Sequence, residues 1–119
     1  MIETKNLKQI QAIIANGETC VVNLTANWCS DCTDQAENLS IFSEVLATQK
    51  TPCYTLAVQD EKNIYLSEEH QEFTEQLGGH GFPRTVLVIS GQVVDADNVE
   101  VISQPQLTVL ADKFVSQLA

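Results

Sequence analysis

Apolar residues follow two different periods along this chain. Over four stretches they recur every three to four positions, which predicts helices at residues 4–16, 29–47, 67–77 and 104–118. Between these stretches lie short, β-branched apolar runs that predict strands at residues 19–25, 53–59 and 85–89. This order of elements predicts an α/β fold, in which a central mixed β-sheet is flanked by helices on both faces.

Capping and turn residues set several of the predicted boundaries. Ser67 can cap the third helix and Gly78 can end it, while Ser103 and Gln106 have the spacing of a capping box at the last helix. Residues 90–92 (Ser-Gly-Gln) predict a tight turn and therefore a hairpin after the last strand. The strand–helix–strand unit in the first half of the chain predicts two parallel strands with a right-handed crossover.

Length and charge narrow the class of protein. The 119 residues predict a single domain over residues 1–119, and 6 basic against 16 acidic side chains give a net charge of −10 (6 − 16). Such a charge repels phosphate groups, so we expect neither nucleic acid nor a membrane surface as a partner. The first residues lack the apolar centre of a signal peptide, so we expect a cytoplasmic location, and we expect a monomer.

The four cysteines carry the most specific chemical signal. Cys29 and Cys32 lie three positions apart where a buried strand gives way to a helix. The unpaired N–H groups and positive end of that helix stabilise a thiolate at an accessible Cys29, while Cys32 lies one turn inside and stays protonated. This asymmetry suits thiol–disulfide exchange, and a structural disulfide is the alternative. Cys20 and Cys53 begin two neighbouring strands, where we interpret them as small core residues rather than as a second redox pair or metal site.

The segment Trp28-Cys29-Ser30-Asp31-Cys32 resembles the active-site motif of the thioredoxin family, and residues 81–85 (Gly-Phe-Pro-Arg-Thr) resemble its Gly-x-Pro-Thr segment. The resemblance covers roughly residues 4–118. It implies a thioredoxin-like fold and the reduction of disulfides in client proteins. It also implies regeneration by a thioredoxin-reductase-like enzyme, with a redox-active disulfide and no metal or organic cofactor.

The resemblance also assigns roles to individual residues. It makes Cys29 the nucleophile, Cys32 the resolving cysteine and Trp28 the flanking aromatic residue. It makes Pro83 a cis-proline, and it gives Phe82 a backbone that pairs with an extended substrate. Trp28 could instead be a core residue.

Several positions depart from the family pattern. Asn23 stands where the family usually has a buried aspartate that takes the proton of the resolving thiol, and Leu56 stands near the position of a strand lysine. Ser30 and Asp31 replace the common Gly-Pro, and the negative charge of Asp31 opposes thiolate formation. Arg84 is inserted between the proline and the threonine, and the usual first strand is shortened to about residues 2–3.

The two histidines carry hypotheses of their own, and two functions other than disulfide reduction are also consistent with the sequence. His80 lies three positions before the proline, where it either tunes the thiolate or shuttles a proton in place of the missing aspartate; the alternative is an exposed loop residue. His70 is interpreted as a half-buried packing residue. A thioredoxin-fold binding module would use the dithiol to sense redox state or to hold a soft metal such as Cu(I) or Zn(II). A scaffold with a vestigial dithiol is a third possibility.

Overall fold

The computed structural model describes residues 2–119. In chain order, the elements of this part are β1 (Ile2–Thr4), α1 (Leu7–Ala15), β2 (Cys20–Ala26), α2 (Ser30–Ala36), α3 (Leu39–Ala47), β3 (Cys53–Glu61), β4 (Ile64–Tyr65), α4 (Glu68–Gln76), β5 (Arg84–Ile89), β6 (Gln92–Val99) and α5 (Gln104–Leu118). Within residues 2–119, no helix combines the length and the apolar character needed to cross a bilayer.

The strands form a single mixed sheet in the order β1-β3-β2-β5-β6, and β4 pairs with β3 outside this path. β1 and β2 run parallel to β3, whereas β5 runs antiparallel to β2 and β6 antiparallel to β5. The predicted parallel β2–β3 pair and the predicted hairpin after β5 are therefore confirmed. Their arrangement places β2, whose end leads into the cysteine pair, at the centre of the sheet.

Two hydrophobic cores lie on opposite faces of the sheet, because successive strand residues point to alternate sides. Val22 and Leu24 of β2 pack in the core on the side of α1 and α4, and Val21 packs in the core on the side of α3 and α5. Cys20 belongs to the first core and Cys53 to the second, at exposed fractions of 0% and 2%. Their side chains point to opposite faces, so they fill the core and do not form a second redox pair.

The single helix predicted over residues 29–47 is wrong, because the structure divides it into α2 and α3. At the break, the Asn38 N–H bonds back to the Gln35 carbonyl at 2.9 Å, and the Asn38 side chain donates to the Ile102 carbonyl at 3.0 Å. The break lets α2 cover the end of β2 while α3 packs against α5. It is fixed by a contact between residues 64 positions apart, which local periodicity does not show.

The predicted start of the first helix at residue 4 is also wrong. Asn6 caps α1 in a capping box with Gln9, and the residues before it form β1, which pairs with β3. The shortened first strand expected at about residues 2–3 is therefore present, as Ile2–Thr4. The caps predicted at Ser67 and Ser103 are confirmed, since each side chain accepts a hydrogen bond from the first turn of its helix.

The polar stretch after the predicted second strand, residues 60–63, lies at the tip of a tight hairpin between β3 and β4. β3 extends to Glu61, and Asn63 adopts a left-handed conformation at φ 65° that turns the chain into β4. β4 has two residues and was not predicted, because its pairing with β3 depends on that turn rather than on an apolar run. The hairpin brings residues 60–63 beside the end of β2.

Candidate dithiol site

The two clustered cysteines lie where β2 gives way to α2. Cys29 is the N-cap residue of α2, and its Sγ accepts a hydrogen bond from the Cys32 backbone N–H at 3.1 Å. The Cys29 N–H in turn donates to the Ala26 carbonyl at 3.1 Å. All four cysteines are free thiols. A sulfur at this position faces a backbone donor that has no partner within the helix, which is an arrangement that stabilises negative charge on the sulfur.

The expected difference in exposure between the two thiols is wrong. Cys29 is 6% exposed and Cys32 is 7% exposed, and both belong to the core on the side of α1 and α4. Since burial is almost equal, any difference in reactivity comes from the hydrogen bonds and charges around each sulfur.

Cys32 is held in its protonated form. Burial is the largest cause that raises the pKa of its thiol, followed by the hydrogen bond with Cys29 and by the negative charges of Cys29 and Asp31. A hydrogen bond from the Ala26 backbone acts in the opposite direction, and the net result is a pKa of about 12. Cys32 is therefore a thiol at neutral pH, as the sequence analysis predicts.

Ser30 and Asp31 form the first turn of α2 between the two cysteines. Ser30 is exposed, whereas Asp31 is half-buried. A carboxylate in the first turn stabilises the helix through the macrodipole, but the same charge contributes to the raised pKa of Cys32. Asp31 thus affects the site through charge rather than through a direct hydrogen bond.

Trp28 lies at the rim of the site and is tied to the sheet by its indole nitrogen. The ring is 39% exposed, which excludes a purely internal packing role. Its Nε1–H donates to Oε1 of Gln59 at 2.8 Å, and the Lys62 ammonium lies 5.8 Å from the ring centroid. Gln59 is fully buried, and its Oε1 also accepts the Asn63 N–H at 3.1 Å. The sequence analysis did not identify Gln59, whose only signal is an amide at the end of an apolar strand.

Phe82 and Pro83 lie directly before β5, whose first residue Arg84 pairs with Leu24 near the end of β2. The peptide bond between Phe82 and Pro83 is cis, and both residues are buried. Phe82 packs in the same hydrophobic core as Cys29 and Cys32. The exposed His80 ring packs edge-to-face on Phe82 at a centroid distance of 5.5 Å, so it lies beside this segment. A role of His80 in tuning the thiolate stays a prediction.

Arg84 is the first residue of β5 and not a loop insertion. It is 5% exposed, and its Nη1 and Nη2 donate to the carbonyls of Ala96 and His80 at 2.6 and 2.8 Å. Burial is the main cause that lowers its pKa. Gly78 has φ +118°, and a Cβ there would meet Nη1 at 2.6 Å, so glycine is required where the guanidinium holds the loop. Arg84 thus ties the segment before Pro83 to β6.

Asn23 belongs to a buried ring of three polar side chains beneath α2. Asn23 Nδ2 donates to Gln35 Oε1 at 2.8 Å, and the Thr85 hydroxyl donates to Asn23 Oδ1 at 3.0 Å. Gln35 Nε2 closes the ring to Thr85 Oγ1 at 3.3 Å and also reaches the Val101 carbonyl at 3.0 Å. All three side chains are at most 2% exposed. The sequence analysis singled out Asn23 but missed its two partners.

Metal-ligating residues are sparse around the dithiol. Within residues 2–119, no group of three or more histidine, cysteine, aspartate or glutamate side chains is arranged to hold a metal ion. Cys29 and Cys32 would supply two ligands of a soft-metal site, and a closed zinc site takes about four.

Comparisons with known proteins identify the fold. No protein-family model matches the chain, and no curated protein sequence matches it. Among solved structures it is similar to oxidised thioredoxin from Plasmodium falciparum, with 19% identity, a TM-score of 0.67, and 96% of this chain and 98% of that chain covered. A thioredoxin from Malassezia sympodialis gives 16% identity and a TM-score of 0.68 over 95% of this chain and 90% of that one.

A larger protein contains the same architecture. The zinc-bound form of human ERp44 matches with 16% identity and a TM-score of 0.67, over all of this chain (100%) and 32% of that chain. This chain therefore spans about a third of the length of ERp44. The protein has the thioredoxin fold, which confirms the fold class and the resemblance on which the sequence prediction rests.

Proposed function

We propose that this chain is a thiol–disulfide oxidoreductase that reduces disulfides in client proteins through Cys29 and Cys32. The observation that carries the proposal is the 3.1 Å hydrogen bond from the Cys32 N–H to the Cys29 sulfur at the N-cap of α2. It gives the first sulfur a backbone hydrogen-bond donor and places the second cysteine one turn away on the same helix. The thioredoxin fold of the similar structures supports this reading.

The reaction proceeds by two exchanges of sulfur partners. The Cys29 thiolate attacks one sulfur of a client disulfide, so a Cys29–client bond forms and the other client sulfur leaves as a thiolate. Cys32 then loses its proton and attacks Cys29, which expels the second client sulfur as a thiolate. The client gains two electrons, and the chain is left with a Cys29–Cys32 disulfide. A thioredoxin-reductase-like partner would return this disulfide to the dithiol.

Client binding is assigned to Trp28 and to the segment that contains Phe82 and Pro83. The exposed face of Trp28 offers an apolar contact, and the Gln59 hydrogen bond limits the orientations of the ring. Phe82 offers backbone groups with which an extended client segment can pair, whereas the Pro83 carbonyl already accepts the Glu100 N–H at 2.8 Å. The proposal needs no metal or organic cofactor. It takes the chain to act as a monomer in the cytoplasm, where a dithiol of this kind stays reduced.

A binding module is the second candidate. One of the similar structures is described as a zinc-bound form, and the dithiol of this chain offers two soft ligands. A metal held here would need further ligands from elsewhere, such as a second copy of the chain. Metal content after purification under reducing conditions, compared between the parent and Cys29→Ser, separates this candidate from the reductase.

Reduction of a protein disulfide in vitro tests the proposed function. Insulin is incubated with dithiothreitol and catalytic amounts of the purified chain, and precipitation of the free insulin B chain is followed by turbidity. We expect the parent to shorten the lag and Cys29→Ser to give the lag seen without protein. Cys20→Ala, which removes a buried cysteine away from the site, is the matched control and retains activity. Equal activity of Cys29→Ser and the parent would overturn the proposal.

A further inference from the structure

A cleft of about 440 Å³ reaches Cys32 from between the sheet and the helices α2 and α3. Its walls include the sheet residues Asn23, Thr25 and Thr55 and the helix residues Cys32, Ala36 and Glu44. In the described part of the chain, the cleft is lined neither by Cys29 nor by the residues assigned to client binding, Trp28, Phe82 and Pro83. A client bound over Cys29 would therefore leave this cleft open to solvent.

The polar side chains beneath Cys32 are not proton acceptors. Asn23, Gln35 and Thr85 carry neutral amides and a hydroxyl, and they are joined to one another in a closed ring of hydrogen bonds. An amide does not take up a proton near neutral pH, so the ring cannot act as the base for the resolving step. The Cys32 thiol must nevertheless lose its proton before its sulfur can attack, since the thiolate is the nucleophile.

We infer that Cys32 gives up its proton to water in this cleft, on the side of the dithiol that a bound client leaves uncovered. The inference rests on the proposed function. A water molecule takes the proton from Cys32 Sγ, and the resulting thiolate forms a bond to Cys29 Sγ. The bond between Cys29 and the client sulfur breaks, its electron pair leaves with the client sulfur, and the proton passes to bulk solvent.

The cleft is open to solvent and is large enough to hold water. Its walls are mainly apolar, and the hydroxyl groups of Thr25, Thr55, Ser40 and Ser43 are among its polar groups. The charged groups that act on Cys32 are Cys29 and Asp31, both on its own side of the cleft. Across the cleft, β2 and β3 present neutral side chains, and Glu44 of α3 is the other titratable residue of the lining in the described chain.

Substitution of Ala36 by phenylalanine tests whether the proton of Cys32 leaves through this cleft. Ala36 lies four residues after Cys32 on the same helical face, and helical side chains lean towards the N-terminus, so a larger side chain here covers the Cys32 side of the cleft. Ala36 is exposed, which keeps the substitution out of the core. Ala12→Phe is the matched control, because Ala12 is also exposed and lies in α1, on the other face of the sheet from the cleft.

The readout uses one equivalent of the aromatic disulfide 5,5′-dithiobis(2-nitrobenzoate). The first coloured thiolate is released when Cys29 attacks, and the second is released when Cys32 resolves the mixed disulfide. We expect Ala36→Phe to slow the second release at least tenfold and to leave the first within twofold, and Ala12→Phe to change neither. An unchanged second release in Ala36→Phe would overturn the inference. Absence of the first release in the parent would instead contradict the proposed function.

Glu44 provides a second, independent test of which group accepts the proton of Cys32. Glu44→Gln removes its carboxylate while keeping its size, and Glu37→Gln is the control at an exposed position outside the lining. If water accepts the proton, both variants release the second thiolate at the parent rate. A tenfold slowing in Glu44→Gln alone would assign the proton to that carboxylate and would overturn the role given to water.

Discussion

The indole N–H of Trp28 donates a 2.8 Å hydrogen bond to the side-chain oxygen of Gln59, a fully buried residue 31 positions further along the chain. This bond couples the rim of the dithiol site to the turn between β3 and β4, because the same oxygen accepts the N–H of Asn63 in that turn. The large exposed aromatic of the site is therefore oriented from below by the sheet. Its position does not depend on contacts with a client.

We predict that Gln59→Met releases Trp28 from this orientation. Methionine fills a similar space but accepts no comparable hydrogen bond, so the indole loses its partner and gains mobility. The expected result is a several-fold higher KM for a protein disulfide with a smaller change in kcat, together with a red shift of the Trp28 emission. The cost in the free energy of unfolding should be about 2 kcal/mol, because the hydrogen bonds from Trp28 and from Asn63 are both lost.

The control for this substitution is Gln92→Met, at an exposed position of β6. It should leave both the emission and the KM at the parent values. An emission spectrum of Gln59→Met that matches the parent would show that the hydrogen bond does not hold the ring.

Asn23→Asp should destabilise the protein at neutral pH and much less in acid. The amide nitrogen of Asn23 donates to Gln35 Oε1, so a carboxylate would bring two acceptor oxygens together in a fully buried ring. Burial and this repulsion raise the pKa of the new carboxyl above its unfolded value. The penalty is therefore absent below the unfolded pKa, appears as pH rises above about 4, and grows until pH passes the folded pKa.

Urea denaturation at pH 4 and pH 7 measures this effect. We expect Asn23→Asp to lose about 2–4 kcal/mol relative to the parent at pH 7, in the range for an unpaired buried charge, and clearly less at pH 4. Asn16→Asp, at the exposed C-cap of α1, is the control and should stay within about 0.5 kcal/mol of the parent at both pH values. Equal losses for Asn23→Asp at the two pH values would contradict the prediction.

Alkaline pH should unfold the chain through its buried thiols. Burial is the largest cause that raises the pKa of Cys20 to about 11 and of Cys53 to about 12, from an ordinary value of 9.0, and it likewise raises the pKa of Cys32 to about 12. These folded-state values lie above the unfolded ones, so the unfolded chain binds fewer protons above pH 9. Stability is therefore intact below pH 9 and declines as pH rises from 9 towards 11–12, by about 1.4 kcal/mol per pH unit for each thiol.

Denaturation midpoints measured between pH 8 and pH 10.5 check this slope. Cys53→Ala lowers the stability at pH 8 because it removes a buried sulfur, but it should also reduce the loss per pH unit above pH 9. Cys20→Ala should do the same on the other face of the sheet. If neither variant has a shallower slope than the parent, the two thiols do not account for the alkaline transition.

The sequence predicts those features of the fold that depend on neighbouring residues. The Ser67 cap and the capping box of Ser103 and Gln106 need contacts over three positions, and each forms as predicted. The pairing of β2 with β3 follows from the strand–helix–strand order. The placement of Cys29 at the start of a helix likewise follows from local pattern, which is why the proposed dithiol site could be located from the sequence.

The missed features depend on contacts between distant segments. The break between α2 and α3 is fixed by Asn38 reaching Ile102, and β4 forms because Asn63 adopts a left-handed turn. Gln35 looks like an ordinary polar residue of a helix until Thr85, 50 positions away, provides a partner for its amide. A buried polar side chain needs hydrogen-bond partners, and the sequence gives no local sign of where those partners lie.

Cys32→Ser should trap a covalent complex between the chain and a client, whereas Cys29→Ser should not. In the proposed reaction Cys29 forms the bond to the client, and a serine hydroxyl at position 32 cannot displace the client sulfur. The buried hydroxyl is of similar size to the thiol it replaces, so Cys32→Ser should fold.

The adduct is measured as a band of added mass on a non-reducing gel after incubation with a disulfide-containing protein, and it should disappear on reduction. The double variant Cys29→Ser/Cys32→Ser is the control and should give no band. Trapping by both single variants alike would remove the distinction between nucleophile and resolving cysteine, because a buried Cys32 with a pKa of about 12 would then be attacking the client directly.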